Sequence, residues 1–357
     1  MLPHFLSMLT AKALSPPLTT LHWDITKACN ARCVFCLNNA GLRQRDELSA
    51  DERVFLVRHA AAIGVRFIRL LGGEPFITPD SLAVIETAAS HGIQVSLSTN
   101  GSLVTKEIAR RLAEKAAWLR YLQVSLYGLS AEHYEEICGS ARLFKQVQEG
   151  ISYLRKVDLP ITLLFVVTKQ GEDLIPRVIE FAESFGLQRL RLVPAETIGR
   201  NGGYHTLERH RFVAALSRHC VEYHGPLRLD TTAYPLLGDY IEAHSKLNSV
   251  RLSCAGGATD IYVAPNGRIG VCPFLHGRPL PIHAPTYDGM FPRVPLDEAW
   301  RSDHFEQFRE LKKETVRAAS HSKCAYSRSG NCSPCPLSSR SCLEVLREDG
   351  KLKATDA

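Results

Sequence analysis

The sequence predicts an α/β fold in which six strand–helix units surround a parallel sheet, followed by a small cysteine-rich domain. From residue 20 to about residue 194, short β-branched or apolar runs alternate with segments of helical period, as in successive βα units. After residue 200 this alternation stops, and residues 253–342 are rich in Cys, Gly, Pro and Ser. Such a segment has little apolar surface to bury, so we expect it to need bound metal for its order.

The predicted strands share a short length and a β-branched or apolar composition. Six units are too few to close an eight-stranded barrel, so a partly open barrel and a doubly wound sheet both fit the pattern. Either arrangement places the chemistry at the carboxyl ends of the strands. The strands are predicted at residues 21–26, 66–71, 94–99, 121–126, 161–168 and 189–193.

Start and stop signals mark the helices between these strands. Polar residues that cap helices precede three of the apolar periodic segments, and one of them is followed by the glutamate of a capping box. A glycine after another periodic segment predicts the end of that helix. The predicted N-caps are Ser49 with Glu52, Thr78 before Pro79, and Thr105, and the predicted stop is Gly186.

Composition excludes several classes of protein. Of the 357 residues, 45% are hydrophobic and 22% are charged, as in ordinary globular proteins. No apolar run approaches the ~20 residues that a membrane helix needs, and the first 14 residues lack the features of a secretory signal. The net charge of +6 is dispersed. We therefore expect a cytoplasmic protein with no membrane and no nucleic-acid partner.

The changes in pattern along the chain predict five segments. These are an N-terminal extension (1–19), the six-unit α/β domain (20–200), a helical linker (201–252), the cysteine-rich domain (253–345) and a charged tail (346–357). Eleven cysteines are present. In a long cytosolic chain, cysteines clustered at short spacings more often bind metal than form disulfides, so their positions direct the functional analysis.

Three cysteines follow the first predicted strand, as Cys29-x3-Cys33-x2-Cys36 with the aromatic Phe35 before the last. Three thiolates in a short loop hold three irons of a 4Fe-4S cluster and leave the fourth iron open for substrate chemistry. Structural zinc is the alternative. Closed zinc sites use four ligands, and no fourth Cys or His stands near the loop in the sequence.

This loop resembles the radical S-adenosylmethionine (SAM) signature, C-x3-C-x-aromatic-C, and similar segments follow the next strands in the order that the family's fold requires. The resemblance implies a partial (β/α)6 radical SAM barrel over residues 20–200. The Gly72-Gly73-Glu74-Pro75 segment looks like the family's GGE motif, which contacts the methionine amino group of SAM. Ser98, Asn100 and Ser125 would contact the ribose hydroxyls and the SAM carboxylate, and Phe35 would pack beside the adenine.

The resemblance also implies a mechanism. The cluster on Cys29, Cys33 and Cys36 would cleave SAM to methionine and a 5'-deoxyadenosyl radical, which removes a substrate hydrogen. A flavodoxin or ferredoxin would supply the electron. The segment from Val193 and Pro194 to Gly199 and Arg200 also resembles the family at that point, whereas the sequence names no catalytic residue beyond the cofactor contacts.

The later cysteines resemble the SPASM extension, or its shorter twitch form, that holds auxiliary clusters in many relatives. Cys254-x12-Gly267-x4-Cys272 fits, whereas the interval between Cys335 and Cys342 is one residue longer than the family's, and its final cysteines are absent. One auxiliary 4Fe-4S cluster is expected, and a second would need noncysteine ligands; structural zinc is the alternative. The candidate ligands are Cys254, Cys272, Cys332 and Cys335, with Cys324 and Cys342 in addition.

Two cysteines, Cys138 and Cys220, stand apart from these groups in the sequence and are expected to be ordinary buried thiols. Within the resembled families, maturation of a ribosomally made peptide by crosslinking, thioether formation or epimerisation is the leading hypothesis. Many peptide-modifying relatives carry a peptide-recognition domain before the barrel, and the first cysteine of this loop, at residue 29, leaves no room for one. A separate recognition protein could replace that domain. The alternatives are radical oxidation or rearrangement of a small molecule, and a nonenzymatic iron-sulfur or zinc protein.

Overall fold

The computed structural model describes residues 15–195, 199–201, 205, 209–233, 247–251, 254–273 and 287–320. Within these ranges one ten-stranded sheet runs in the order β10-β9-β1-β2-β3-β4-β5-β6-β7-β8, parallel except for the β9–β10 pair. The strands are β1 Thr20–Asp24, β2 Phe67–Leu71, β3 Gln94–Thr99, β4 Leu119–Leu126, β5 Ile161–Val167, β6 Arg189–Pro194, β7 Arg228–Ala233, β8 Asn248–Arg251, β9 Asp260–Val263 and β10 Ile269–Gly270.

Helices connect the parallel strands, as the crossover geometry of βα units requires. None of the helices in the described ranges combines the length and apolarity needed to span a bilayer. They are α1 Ala50–Ala62, α2 Ser81–Ser90, α3 Lys106–Ala113, α4 Ala131–Cys138, α5 Arg142–Lys156, α6 Ile175–Ser184, α7 Arg209–Cys220, α8 Leu296–Trp300 and α9 Asp303–Ser320.

The structure confirms the α/β fold, and all six predicted strands form within two residues of their predicted bounds. Ser49 and Glu52 make both hydrogen bonds of the capping box, and Thr105 caps α3. The prediction for Thr78 is wrong. The turn Pro75–Ile77 ends at Thr78, whose N–H donates to the Pro75 carbonyl, so α2 begins three residues later, at Ser81.

Four strands were not predicted, and all come from the chain after residue 200. β7 and β8 extend the sheet beyond β6, within the segment predicted as a helical linker, and α7 is the helix among the described residues of that segment. β9 pairs with β1 at the opposite edge, although it belongs to the predicted cysteine-rich domain. With only four residues each, β8 and β9 are too short to produce a periodic signal.

Side chains alternate between two faces along the central strands. Leu21 and Trp23 of β1 and Val95 and Leu97 of β3 are buried in the hydrophobic core. The intervening positions carry polar residues, which define the polar face of the sheet. Because the strands are parallel, their carboxyl ends all lie at the same end of the sheet, and so do the loops that follow them. The polar-face residues of the central strands include His22, Ser96, Ser98, Gln123, Ser125 and Arg191.

Candidate functional site

The loop after β1 closes on itself and packs against the end of α4. The Cys29 N–H donates to the Gly41 carbonyl (2.9 Å) and the Gly41 N–H donates to the Lys27 carbonyl (2.8 Å), which joins the two ends of the loop. In its middle, the N–H groups of Arg32 and Val34 donate to the last carbonyls of α4 (2.8 and 2.9 Å). Backbone hydrogen bonds therefore fix the positions of the three cysteines, at the carboxyl ends of the strands.

The thiols of this loop suit thiolate ligands of a metal cluster. Backbone N–H groups point at two of the sulfurs, from Ala31 to Cys29 Sγ (3.4 Å) and from Ala40 to Cys36 Sγ (3.3 Å). Such N–H···S contacts stabilise cluster thiolates. Burial raises the pKa of the Cys29 thiol to about 12. A bound metal ion is the charge that deprotonates a thiol of this kind, so the residues fit the cluster.

Within the described ranges, no three Cys, His, Asp or Glu side chains converge on a point as the ligands of a single ion do. The third thiol of the loop, Cys33, lies 3.8 Å from the sulfur of Cys138. Cys138 and Cys220 are both buried, as predicted. Although Cys138 stands apart from the loop in the sequence, the end of α4 brings it against the loop from 105 residues away.

The glycines after β2 allow that turn to press against the cysteine loop. A Cβ on Gly73 would lie 2.0 Å from the Ala28 carbonyl oxygen, and a Cβ on Gly72 would lie 2.6 Å from that of Thr26. Gly72 also has a φ of +125°, which L side chains rarely adopt. The N–H of Glu74 donates to the Ala28 carbonyl (2.8 Å), so this turn and the loop form one backbone unit.

The carboxylate of Glu74 ties β2 to the end of β3. Glu74 is fully buried and accepts hydrogen bonds from the Thr99 hydroxyl (2.6 Å), the Asn100 N–H (2.7 Å) and the Phe76 N–H (3.3 Å). Burial raises its pKa to about 7, although these donors lower it. In this structure the glutamate therefore positions the two neighbouring turns, and its predicted contact with SAM stays a prediction.

Asn100 connects the end of β3 to the cysteine loop. Its side-chain N–H donates to the Asn30 side-chain oxygen (2.8 Å), and its own oxygen accepts from the Ser102 hydroxyl (2.6 Å) and N–H (2.9 Å). The Asn30 side chain in turn donates to the Ser102 hydroxyl (2.8 Å). Sequence analysis missed Asn30, Thr99 and Ser102. The only signal for them was position: Asn30 lies between the first two cysteines of the loop, and Thr99 and Ser102 lie within two residues of Asn100.

The other predicted contacts of SAM lie at the same edge. Ser98 and Ser125 are half-buried on the polar face, and the Ser98 hydroxyl accepts from Gln123 Nε2 (3.4 Å). Phe35 is buried with its ring centroid 5.8 Å from that of Tyr127, which follows β4. Pro75 is buried at the start of the short turn after the glycines. The structure thus brings all the predicted residues of this site to one end of the sheet.

Comparison with known proteins shows which family this site resembles. Residues 23–182 match the model described as "Radical SAM superfamily". This part of the chain is therefore similar to a radical SAM domain. Such a domain implies a 4Fe-4S cluster and SAM as cofactors. The matched residues include the cysteine loop and the turns after β2, β3 and β4.

Similar proteins extend beyond the radical SAM domain. The AdoMet-dependent heme synthase of Methanosarcina barkeri is 26% identical over 81% of this chain and 83% of its own length. Mycofactocin maturase MftC of Mycolicibacterium smegmatis is 28% identical over 88% of this chain and 77% of its own length. Both relatives are enzymes, which together with the domain indicates that this chain is an enzyme.

A solved structure shares the fold. Streptococcus suis SuiB bound to S-adenosylmethionine superposes with a TM-score of 0.65 at 20% identity, over 86% of this chain and 71% of that one. SuiB has also been solved bound to precursor peptide SuiA, with the same TM-score of 0.65. At this identity the likeness is one of fold.

Two of the predicted auxiliary ligands flank β9, next to the radical SAM domain. Cys254 and Cys272 are half-buried, and the Cys254 carbonyl accepts a hydrogen bond from Lys312 Nζ of α9. The remaining candidates, Cys324, Cys332, Cys335 and Cys342, lie outside the described residues. The structure therefore shows where the first pair stands and leaves the complete auxiliary site a prediction.

Side-chain pairs that sequence analysis missed connect β9 to β1. The Tyr262 hydroxyl donates to Asp24 Oδ2 (2.8 Å), and His22 Nε2 lies 2.8 Å from Asp260 Oδ2. Burial raises the pKa of Asp24 to about 6, against the hydrogen bond from Tyr262. Asp24, the last residue of β1, therefore links the strand that leads into the cysteine loop to the segment around β9.

Proposed function

We propose that this chain is a radical SAM maturase that modifies a ribosomally made peptide, with its cluster on Cys29, Cys33 and Cys36. The observation that carries the proposal is the cysteine loop itself. It is closed at its ends, receives N–H groups at two of its sulfurs and is packed against the glycine turn after β2. When bound, the cluster supplies the electron that cleaves SAM to methionine and a 5'-deoxyadenosyl radical.

The chain's own residues would bind and orient SAM. The backbone of Gly72 and Gly73, with Glu74 and Pro75, would receive its amino group, while Ser98, Asn100 and Ser125 would hold the ribose and carboxylate. Since Asn100 is also hydrogen-bonded to Asn30, between the first two cysteines, it would couple the nucleotide to the loop. Phe35 would cover the adenine and exclude water, supported by the neighbouring Tyr127 ring.

A peptide substrate is supported by two of the similar proteins. The mycofactocin maturase matches 88% of this chain, and SuiB, which shares the fold, has been solved with a precursor peptide. We further propose that a separate recognition protein presents the peptide and that a flavodoxin or ferredoxin supplies electrons. One observation favours a second candidate, oxidation of a small molecule: the heme synthase matches this chain over 304 residues.

The auxiliary site belongs to the same proposal. Cys254 and Cys272 would join Cys332 and Cys335 around one 4Fe-4S cluster, with Cys324 and Cys342 as further candidates. When bound, a cluster held by these residues would supply one-electron chemistry, which suits net oxidation or crosslinking of a substrate. Replacing Cys332 and Cys335 by Ala is expected to lower iron and sulfide by about four atoms each per chain, the content of one such cluster.

Anaerobic reconstitution with iron, sulfide, dithionite and SAM tests the core of the proposal. We expect 5'-deoxyadenosine, measured by chromatography, and its loss in the triple Cys29→Ala, Cys33→Ala, Cys36→Ala variant. Cys220→Ala is the matched control, because it removes a buried thiol from the hydrophobic core outside the loop and is expected to keep the product. Product from the triple variant, or none from the wild type, would refute the proposed chemistry.

The substrate is tested separately. Short reading frames beside this gene would be expressed, and each peptide incubated with the reconstituted enzyme and SAM. We expect a mass change in one peptide, located by fragmentation to a residue that loses hydrogen or forms a crosslink. A peptide-free reaction that converts a porphyrin-type substrate instead would favour the second candidate.

A further inference from the structure

An arginine after β6 reaches back to the cysteine loop. Arg200 Nη1 donates to the Cys33 carbonyl (2.8 Å) and Arg200 Nη2 donates to the Ala40 carbonyl (2.5 Å). The backbone N–H of the same residue donates to the Cys36 carbonyl (2.9 Å). One residue therefore satisfies three carbonyls of a loop that lies 160 residues or more earlier in the chain.

Gly199, the residue before this arginine, also packs against the cysteine loop. A Cβ on Gly199 would lie 2.2 Å from the Cys36 carbonyl oxygen and 2.5 Å from that of Leu37. Its φ of +78° is also one that L side chains rarely adopt. The turn Gly199–Asn201 thus lies directly against the backbone of the cysteine loop.

The Arg200 side chain has two effects, one from the shape of its guanidinium and one from its charge. The guanidinium is a planar fork that carries a positive charge, so its two Nη atoms reach two carbonyls at once. A lysine keeps the charge but places its donors on one atom. The fork fixes the shape of the loop, whereas the charge acts on the electrostatic potential around the three thiolates.

We propose that Arg200 is a positioning residue for the cluster: its fork holds the cysteine loop in its ligand-binding shape, and its charge favours the reduced cluster. This inference rests on the proposed function. It assigns to the segment after β6 a role in how firmly the cluster is retained and how readily it accepts an electron. Both properties are measured without any substrate.

The test uses the reconstituted holoenzyme and three variants: Arg200→Met, Arg200→Lys and Arg211→Met. Arg211 is the matched control, since it is exposed and pairs with Glu172 on the surface. Iron release to a chelator gives retention, and a redox titration followed by electron paramagnetic resonance gives the midpoint potential. We expect Arg200→Met to release iron about 10-fold faster than wild type, within the range seen when outer contacts of metal ligands are lost.

The two effects are expected to separate in the lysine variant. Arg200→Met should also shift the midpoint to a more negative value, because the positive charge that Arg200 holds against the Cys33 and Ala40 carbonyls is lost. Arg200→Lys should release iron faster than wild type yet keep a midpoint close to that of the wild type. Arg211→Met should match the wild type in both.

Wild-type iron release and midpoint in Arg200→Met would overturn the inference. If that variant fails to fold, as judged by circular dichroism of the apoprotein, Arg200→Lys decides alone, and iron release at the wild-type rate would then overturn it. A wild-type chain that holds no iron contradicts the proposed function instead, so the two failures are distinguishable.

Discussion

The cysteine loop and the segment around β9 are held to the molecule in different ways. Backbone groups from the end of α4, the glycine turn after β2 and the turn Gly199–Asn201 all contact the loop directly. The β9 segment pairs with β1 as a strand and is joined to it by two side-chain pairs, Tyr262 with Asp24 and Asp260 with His22. Backbone packing tolerates no added atom, whereas side-chain pairs respond to pH and conservative substitution.

Gly73→Ala should have the largest effect, because its new Cβ meets a backbone carbonyl at 2.0 Å that cannot move without the loop. We expect the apoprotein to lose on the order of 3 kcal/mol in its free energy of unfolding, and reconstitution to leave the loop without its cluster. Denaturant unfolding and iron counts measure these.

Gly270→Ala in β10 is the matched control in the second region. Its Cβ would lie 3.6 Å from the Tyr262 ring, an ordinary contact. We expect a change below ~0.5 kcal/mol and normal iron content on the loop. Equal losses in the two variants would show that the contrast between backbone packing and side-chain pairing is false.

Asp24→Asn tests the second region through pH. The pKa of Asp24 is raised from 3.8 to about 6, chiefly by burial. Between these values the folded chain holds a proton that the unfolded chain has released, so stability falls as the pH rises through that window. The neutral variant lacks this penalty, and we expect it to be more stable than wild type at pH 7 by up to ~3 kcal/mol.

Asp260→Asn, two residues from Tyr262, should behave in the opposite way. Burial raises its pKa, but the hydrogen bonds from His22 and Thr259 outweigh burial, and the net pKa is lowered. Its carboxylate therefore contributes stability above pH ~4 that is lost as the pH falls, so the variant should be less stable at pH 7. Thermal or denaturant unfolding between pH 4 and pH 8 gives both profiles, and parallel profiles would contradict the assignment.

The elements that could be predicted from the sequence depend on neighbours in the chain. The six central strands, which the structure confirms, follow from runs of apolar residues bounded by turns. Cys29, Cys33 and Cys36 are predicted as cluster ligands from their spacing. Thr78 was misassigned for a local reason as well: Pro75 starts a short turn that competes with the helix start. Short-range competition of this kind is visible only once the backbone hydrogen bonds are known.

The features that could not be predicted from the sequence depend on contacts between residues that are distant in the chain. Arg200 meets Cys33 across 167 positions, Cys138 meets it across 105, and Tyr262 meets Asp24 across 238. No spacing rule relates such partners. The sequence marked Arg200 only as the end of a segment that resembles the family, and it marked neither Cys138 nor Tyr262 as a contact. The placement of β9 beside β1 follows from the whole sheet, which a four-residue run cannot specify.

Tyr262→Phe removes the hydroxyl that donates a hydrogen bond to Asp24, and it keeps the buried ring. We expect a loss of about 2 kcal/mol at pH 7, since a buried carboxylate loses a donor. The same substitution in the Asp24→Asn background should cost less, because a neutral amide needs the donor less. Denaturant unfolding of the four proteins gives the coupling directly, and strictly additive losses would mean that the pair does not hold β9 to β1.

Apart from the Gly270→Ala control, Ser49→Ala should have the smallest effect, and it belongs to neither region. Its hydroxyl accepts from the Glu52 N–H at 3.3 Å, and the Glu52 carboxylate accepts from the Ser49 N–H at 2.8 Å. Loss of an exposed cap of this kind costs ~1 kcal/mol. Because the cap contacts neither the cysteine loop nor β9, iron retention should match the wild type. Faster iron release here would show that retention follows global stability, and the loss of iron in Gly73→Ala would then say nothing about local packing.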